Sequence, residues 1–249
     1  NNIDEAVKRT PDTSTFQFGL STLHAWIRFL ECVLHLSYRL DVKKWQVRDA
    51  ENKKLFMARK TEIQAQIREQ MGLLVDYPRA GGSGTSNDGN TARRFFKNPS
   101  LAASLTGVDE NLIRRFATVL QALSCGYDVS EVAFGNYALE TAKLFVDLYP
   151  WYYMPTSVHK ILLHGSSIIS AALLPIGQMS EEAQEARNKD IKSFRMQHAR
   201  KFSRAATNED IFRRLLLSSD PLISTIRQLP WKSSTSLSAE VIGLLKSPL

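Results

Sequence analysis

Positions Leu23, Trp26, Ile27, Leu30, Val33, Leu34 and Ser37 recur at three- and four-residue steps, so the stretch from Leu20 to Leu40 is predicted to be an amphipathic helix. A charged helix follows over roughly 42–71, with Leu55, Ile63 and Ile67 among its apolar positions, and it ends near Gly72. Residues 78–92 break the pattern. One Pro and four Gly lie there among Ser, Thr, Asn and Asp, and neither helix nor strand should persist. Arg93, Arg94 and Lys97 come next, interleaved with Phe95 and Phe96. The helical period returns near 101–105, 109–125 and 130–148, with Thr106 or Asp109 placed to cap the second of these. The aromatic run YPWYYMP at 149–155 marks a junction, and helices near 156–173, 180–203, 208–217 and 220–228 follow. The first residues read as a mobile lead-in and the last twenty, rich in Ser, Pro and Leu, as a tail. There is no internal repeat and almost no strand signal. The expected fold class is mainly α, with no sheet visible in this chain.

Composition adds a bias rather than a class. At 249 residues, 43% hydrophobic and 23% charged, the chain has the make-up of a soluble globular protein and enough length for a large core. The formal net charge of +7 favours an anionic partner, of which nucleic acid is the commonest, although a merely basic surface gives the same number. Two cysteines, Cys32 and Cys125, make no disulfide framework and point to a reducing compartment. No apolar run reaches the roughly 18–20 residues of a membrane span, so no membrane partner is expected. The opening residues have neither an apolar signal core nor an initiator Met, as expected of a processed product or a fragment.

The charge is concentrated. Residues 180–204 open with Glu181, Glu182 and Glu185, and from 187 onward seven Lys or Arg face one acid, Asp190. Acids that can hold a hard metal ion thus adjoin cations that can hold phosphate, a pairing suited to cutting or joining DNA. Glu181 and Glu185 share a helix face, but two-metal sites draw acids from several elements, and acids in a first helical turn also suit the helix dipole. His159 and His164 have a spacing found in zinc pairs. On a helix a five-residue step turns roughly 140°, so sharing an ion calls for a helix end or a bend, which Gly165 can supply; two partly buried structural histidines read the same way. The loop Gly81–Asn90 leading into Arg93 and Arg94 can bring free amides to a phosphate, or serve as a flexible linker; it is not a Walker loop. His24 and His35, eleven apart, share a helix face, the mark of a packed face rather than of a site.

Taken in order, the segments LHAWIRFLECVLHLSYRL, GGSGTSNDGNTARRFF, ETAKLFVDLYPWYYMPTSVHKILLHG and LLPIGQMSEEAQEARNK resemble the C-terminal part of Transib transposases, relatives of the catalytic subunit of the vertebrate V(D)J recombinase. The resemblance covers roughly residues 20–225. It implies an RNase H-like fold with a catalytic triad of two aspartates and a glutamate, and a long helical insertion before the glutamate. On that pattern Glu185 is the catalytic glutamate and a ligand of Mg2+ or Mn2+, with Asn188 and Lys189 completing E-x-x-N-K. His159 and His164 are the H-x4-H half of a structural Zn2+ site. Gly89, Asn90, Ala92 and Arg93 match a G-N-x-A-R loop near the DNA. Asn90, Arg93, Arg94, Lys189, Lys192 and Arg195 are then the expected DNA contacts.

The two aspartates and the Cys-x-x-Cys half of the zinc site should lie before residue 1; Asp12 and Asp88 do not match the aspartate motifs. The implied organisation is a lead-in (1–19), the first part of a helical insertion domain (20–77), a Gly-rich DNA-proximal loop (78–95), the second part of the insertion with the His pair (96–175), the last catalytic helix (176–204), and C-terminal helices and tail (205–249). The implied activity is metal-dependent strand cleavage and strand transfer on double-stranded DNA at terminal inverted repeats, by a nuclear homodimer. The alternative is a domesticated, non-catalytic helical module that binds DNA or protein.

Overall fold

The computed structural model describes residues 3, 5, 12–14, 16–79, 84–179, 181–226 and 237–246, the side chains of Ala183, Glu185, Ser224 and Thr225 excepted. Eleven helices account for nearly all regular structure there: α1 (Thr22–Ser37), α2 (Ala50–Met71), α3 (Gly89–Phe96), α4 (Pro99–Thr106), α5 (Glu110–Ser124), α6 (Glu131–Leu148), α7 (Thr156–Ala171), α8 (Glu182–Ser193), α9 (Arg204–Ser219), α10 (Pro221–Ile226) and α11 (Ala239–Ile242). Among the described residues the only β pairings are two isolated bridges, Pro78 with Thr85 and Val129 with Leu245. The protein is therefore mainly α. None of its described helices is long and apolar enough to cross a membrane.

Most helix starts are written locally. The side chains of Ser21, Asp49, Asp88, Asn98, Asp109, Ser130, Ser203 and Ser238 each accept the backbone N–H three residues on, satisfying a donor that the first turn leaves open. Of the two caps weighed for α5, Asp109 is the one used. Two boundaries in the first hundred residues depart from the sequence pattern. The charged helix begins at Ala50, not near 42, because Lys43 takes a left-handed backbone (φ 49) and Arg39 Nε donates to the Trp45 carbonyl at 3.3 Å, holding the chain in a turn. The glycine-rich stretch ends early: Asp88 caps α3 at residue 89, inside the segment read as broken. At the other end of α2, Gly72 sits at φ 63 and returns its N–H to the Arg68 carbonyl, a left-handed stop that a side chain would strain.

The chain forms two compact units, Asn1–Ser180 with Leu237–Leu249, and Glu181–Ser236. In the first, α1 is central and packs against α3, α4, α5 and α7, while α6 and α7 run together as the closest helix pair. Phe29 meets Phe116 edge-on at 4.8 Å, and Phe116 stacks on Phe145 at 6.3 Å; all three are fully buried. Only His24, Arg28 and His35 of α1 are exposed. The face shared by His24 and His35 is thus the side of α1 with the most solvent access, although His35 also packs against Tyr38 and Asp76.

Within the stretch read as a tail, residues 237–246 are docked. Val241 and Leu244 are buried in the first unit, Ser130 N donates to the Leu244 carbonyl at 2.8 Å, and Lys246 N donates to the Asp128 carbonyl at 2.9 Å. Glu240 accepts from Arg114 at 2.8 Å and from Thr118 and Tyr137 at 3.1 Å. Two apolar side chains three apart behind a Ser cap, with the bonds of Glu240, dock a stretch whose composition reads as a tail.

In the second unit the helix expected over 180–203 ends at Ser193, widens into a π turn at Phe194–His198, and stops. Arg200 explains the stop. Its backbone N donates to Asp210 Oδ2 at 2.8 Å, and its carbonyl accepts from Thr207 Oγ1 at 2.6 Å, so α9 captures the chain.

Candidate functional site

Three groups of side chains carry the chemistry expected from the sequence. The first is the histidine pair on α7. That helix has no side-chain cap at Pro155, and the aromatic run before it is anchored by Tyr149, whose hydroxyl accepts Asp109 N at 2.9 Å. Gly165 does not break α7. It lies inside the helix, where an added Cβ would fall 2.8 Å from Cε1 of Phe134, so glycine is there to admit the phenyl ring of α6. His159 and His164 nevertheless meet, with ring centroids 5.3 Å apart and planes at 68°. Their backbones are separated by a rise of about 7.5 Å, so the side chains lean toward one another along an unbroken helix. Both rings are half-buried. Burial lowers both pKa values; His164 lowers His159 further, and Lys160 lowers His164. Both imidazoles are thereby favoured as neutral groups, the form that binds metal. Two imidazoles on one tetrahedral zinc, with Zn–N of about 2.0–2.1 Å, place their ring centres roughly 5 Å apart. The centroid spacing matches that of two such imidazoles, and among the described residues no group of three or more His, Cys, Asp or Glu is found.

The second group surrounds the glycine-rich loop. Residues 80–83, including Gly81, lie outside the described residues. The base of the loop is tied by a buried polar cluster that the sequence reading missed. Asp76, at φ 54, donates its N–H to Asn87 Oδ1 at 2.9 Å, while its carboxylate accepts Asn87 Nδ2 at 2.6 Å and Tyr38 Oη at 3.0 Å. His35 Nε2 stands 3.6 Å from the same carboxylate. Burial lowers the His35 pKa against the pull of Asp76. The available signal was a single carboxylate following the apolar run Leu73–Val75, too slight to flag. Above this base, Asn90 is exposed on the first turn of α3. Arg93 lies over the Trp26 ring at 5.5 Å, and Arg94 donates to the Met71 carbonyl at 3.1 Å, so both arginines also serve the fold.

The third group lies in the second unit. Glu185 is on α8, but its side chain lies outside the described residues. The cations after it divide into two sets. Arg187 bonds Asp190 at 3.3 Å and Ser218 at 3.0 Å, joining α8 to α9. Arg200 holds both oxygens of Asp210 at 2.9 Å and drives the Asp210 pKa down to about 2. Lys189, Lys192 and Arg195 are exposed and have no hydrogen-bond or ion-pair partner among the described residues. Arg195 stands on the π turn, a distortion often found at functional positions. Asn90, Arg93 and Arg94 thus belong to the first unit, and Glu185, Lys189, Lys192 and Arg195 to the second. Of the sequence candidates, His159 and His164 are brought into direct contact.

Compared with known proteins, the chain matches no protein-family model and none of the curated proteins.

Proposed function

We propose that this chain is the C-terminal portion of a Transib-like transposase that cuts and rejoins DNA. The observation that carries the reading is the convergence of His159 and His164 at 5.3 Å, half-buried and favoured as neutral imidazoles. This pair falls between a G-N-x-A-R segment on α3 and an E-x-x-N-K segment on α8, in the order of the resemblance. In this reading Glu185 supplies one carboxylate to divalent ions. Such ions, when bound, activate water or a DNA 3′-hydroxyl for attack on a phosphodiester. Lys189, Lys192 and Arg195 hold backbone phosphates, which makes affinity salt-dependent. Asn90, Arg93 and Arg94 line the DNA path in the first unit. His159 and His164 give two ligands to a structural zinc. The substrate is double-stranded DNA with terminal inverted repeats, bound by a nuclear homodimer.

The test is Glu185→Gln in the complete enzyme. The variant should bind inverted-repeat DNA as before and lose Mn2+-dependent nicking; retained nicking removes Glu185 from the reaction. A second reading is a domesticated module that binds DNA or protein without chemistry; it uses the same exposed Lys189, Lys192 and Arg195, which have no partner among the described residues. A duplex shift assay with Mn2+ on the complete protein separates the two: binding without a cleaved product supports the module.

A further inference from the structure

A groove of about 830 Å3 lies between the turn that follows α1 and the first half of α2, and none of the residues assigned to metal or DNA above lines it. Arg39, Arg48, Lys53 and Lys54 line it, and no carboxylate does. Asp49 and Glu51 belong to the same stretch but stay outside the lining, and Asp49 is occupied by Asn52 N at 2.8 Å and Lys44 at 3.6 Å. Lys53 and Lys54 are exposed and have no partner among the described residues; Arg48 reaches only the Gln46 amide oxygen. Cations gathered without counter-charge create a standing attraction for an anion.

Apart from Gln46 the remaining lining is apolar, and its two rings are held in place. Trp45 is held edge-on by Tyr152 at 4.8 Å and Tyr153 at 5.4 Å. Phe56 lies under the Arg39 guanidinium at 5.0 Å and against the edge of Tyr38 at 6.0 Å. Both rings remain half-buried, and Met57 beside them is 54% exposed. An intact duplex turns phosphates toward a basic surface and leaves such a lining without a partner. An unpaired strand offers both phosphates and base faces, and cationic grooves with aromatic platforms suit it.

We propose that this groove binds a single nucleic-acid strand, with phosphates at Arg48, Lys53 and Lys54 and bases against Trp45, Phe56 and Met57. The proposal rests on the DNA-binding reading above and narrows it to an unpaired strand held by the first unit.

The test uses fluorescence anisotropy of the full chain with a labelled mixed-sequence DNA oligonucleotide and with its duplex. The changed side chains are exposed, and circular dichroism checks that the variants fold. Replacing Arg48, Lys53 and Lys54 together by Ala should weaken single-strand binding and reduce its salt slope by about 2. Met57→Glu should weaken single-strand binding about tenfold. Duplex affinity should change less than about twofold in both variants, because its phosphates have other contacts. Equal losses for oligonucleotide and duplex, no loss for either, or equal competition by a phosphoserine peptide would overturn the groove assignment. If the unaltered chain binds neither DNA, the DNA-binding reading fails as well. If it binds duplex and the variants leave single-strand affinity intact, the groove assignment alone fails.

Discussion

The two units of this chain are held together by different means. The first buries Phe29, Phe95, Phe96, Phe116, Phe134 and Phe145 almost completely. In the second, Ala206 is the only buried hydrophobic among the described residues, and Phe202, Phe212, Leu216, Leu217 and Leu222 stand in the open. What fastens α8 and the segment after the π turn to α9 is a pair of arginines: Arg187 bonds Ser218, and Arg200 bonds Asp210. Burial is strong and indifferent to salt, whereas exposed ion pairs are weak and screened. The first unit is built as a scaffold. The second keeps an apolar and basic surface available at the cost of its own rigidity.

The contrast breaks most sharply under core truncation. Phe116→Ala should cost about 3–5 kcal/mol in urea unfolding, and Leu217→Ala less than about 0.5 kcal/mol. A cost above about 2 kcal/mol for Leu217→Ala would mean that its face is covered in solution. Next in size, Gly165→Ala should destabilise the first unit. Overpacking against Phe134 costs about 1–3 kcal/mol, against roughly 1 kcal/mol of helix propensity gained. Restored stability in the double variant with Phe134→Leu would place the clash at that contact.

Acid should separate the units by window. His35, His159 and His164 have lowered pKa values in the folded chain. The unfolded chain therefore takes up protons first, at about pH 6.5. Their contribution is complete above that pH and is lost as pH falls below it. Asp210 at about 2 lies below its ordinary 3.8, so its contribution persists above pH 3.8 and is lost as pH falls toward 2. Chemical denaturation at a series of pH values should show the first unit weakening while the Arg200–Asp210 clamp is intact; a first unit indifferent between pH 7 and 5 would contradict this. The smallest effect is expected from Asp210→Asn, which should speed amide exchange in the first turns of α9 and leave the urea midpoint of the first unit unchanged.

The sequence reading succeeded where the code is local. Helix caps such as Asp109, the three- and four-residue apolar steps of α1, and the stop at Gly72 all depend on neighbours a few positions away. It failed where distant residues decide. The start of α2 was misplaced because Lys43 and the Arg39–Trp45 bond set the turn, and the C-terminal segment was read as a tail because its partners Arg114, Thr118 and Tyr137 lie more than a hundred residues upstream. The site was legible to the same extent. The spacing of His159 and His164 marked a pair, but their approach depends on side chains leaning along an unbroken helix, and Gly165, read as a bend, makes room for Phe134 instead. Charge counting found the basic stretch after Glu185, yet could not tell that Arg187 and Arg200 are spent on the fold while Lys189, Lys192 and Arg195 are not.

The docked C-terminal segment turns the second unit into an excursion. The chain leaves the first unit at residue 180 and rejoins it at 237. A protease cut inside Glu181–Ser236 would therefore not by itself release residues 237–246. Residues 237–246 would become a non-covalent ligand of the body they were cleaved from, retained by Val241, Leu244 and the bonds of Glu240. What had been intramolecular docking would become fragment complementation, with a residence time that depends on dilution.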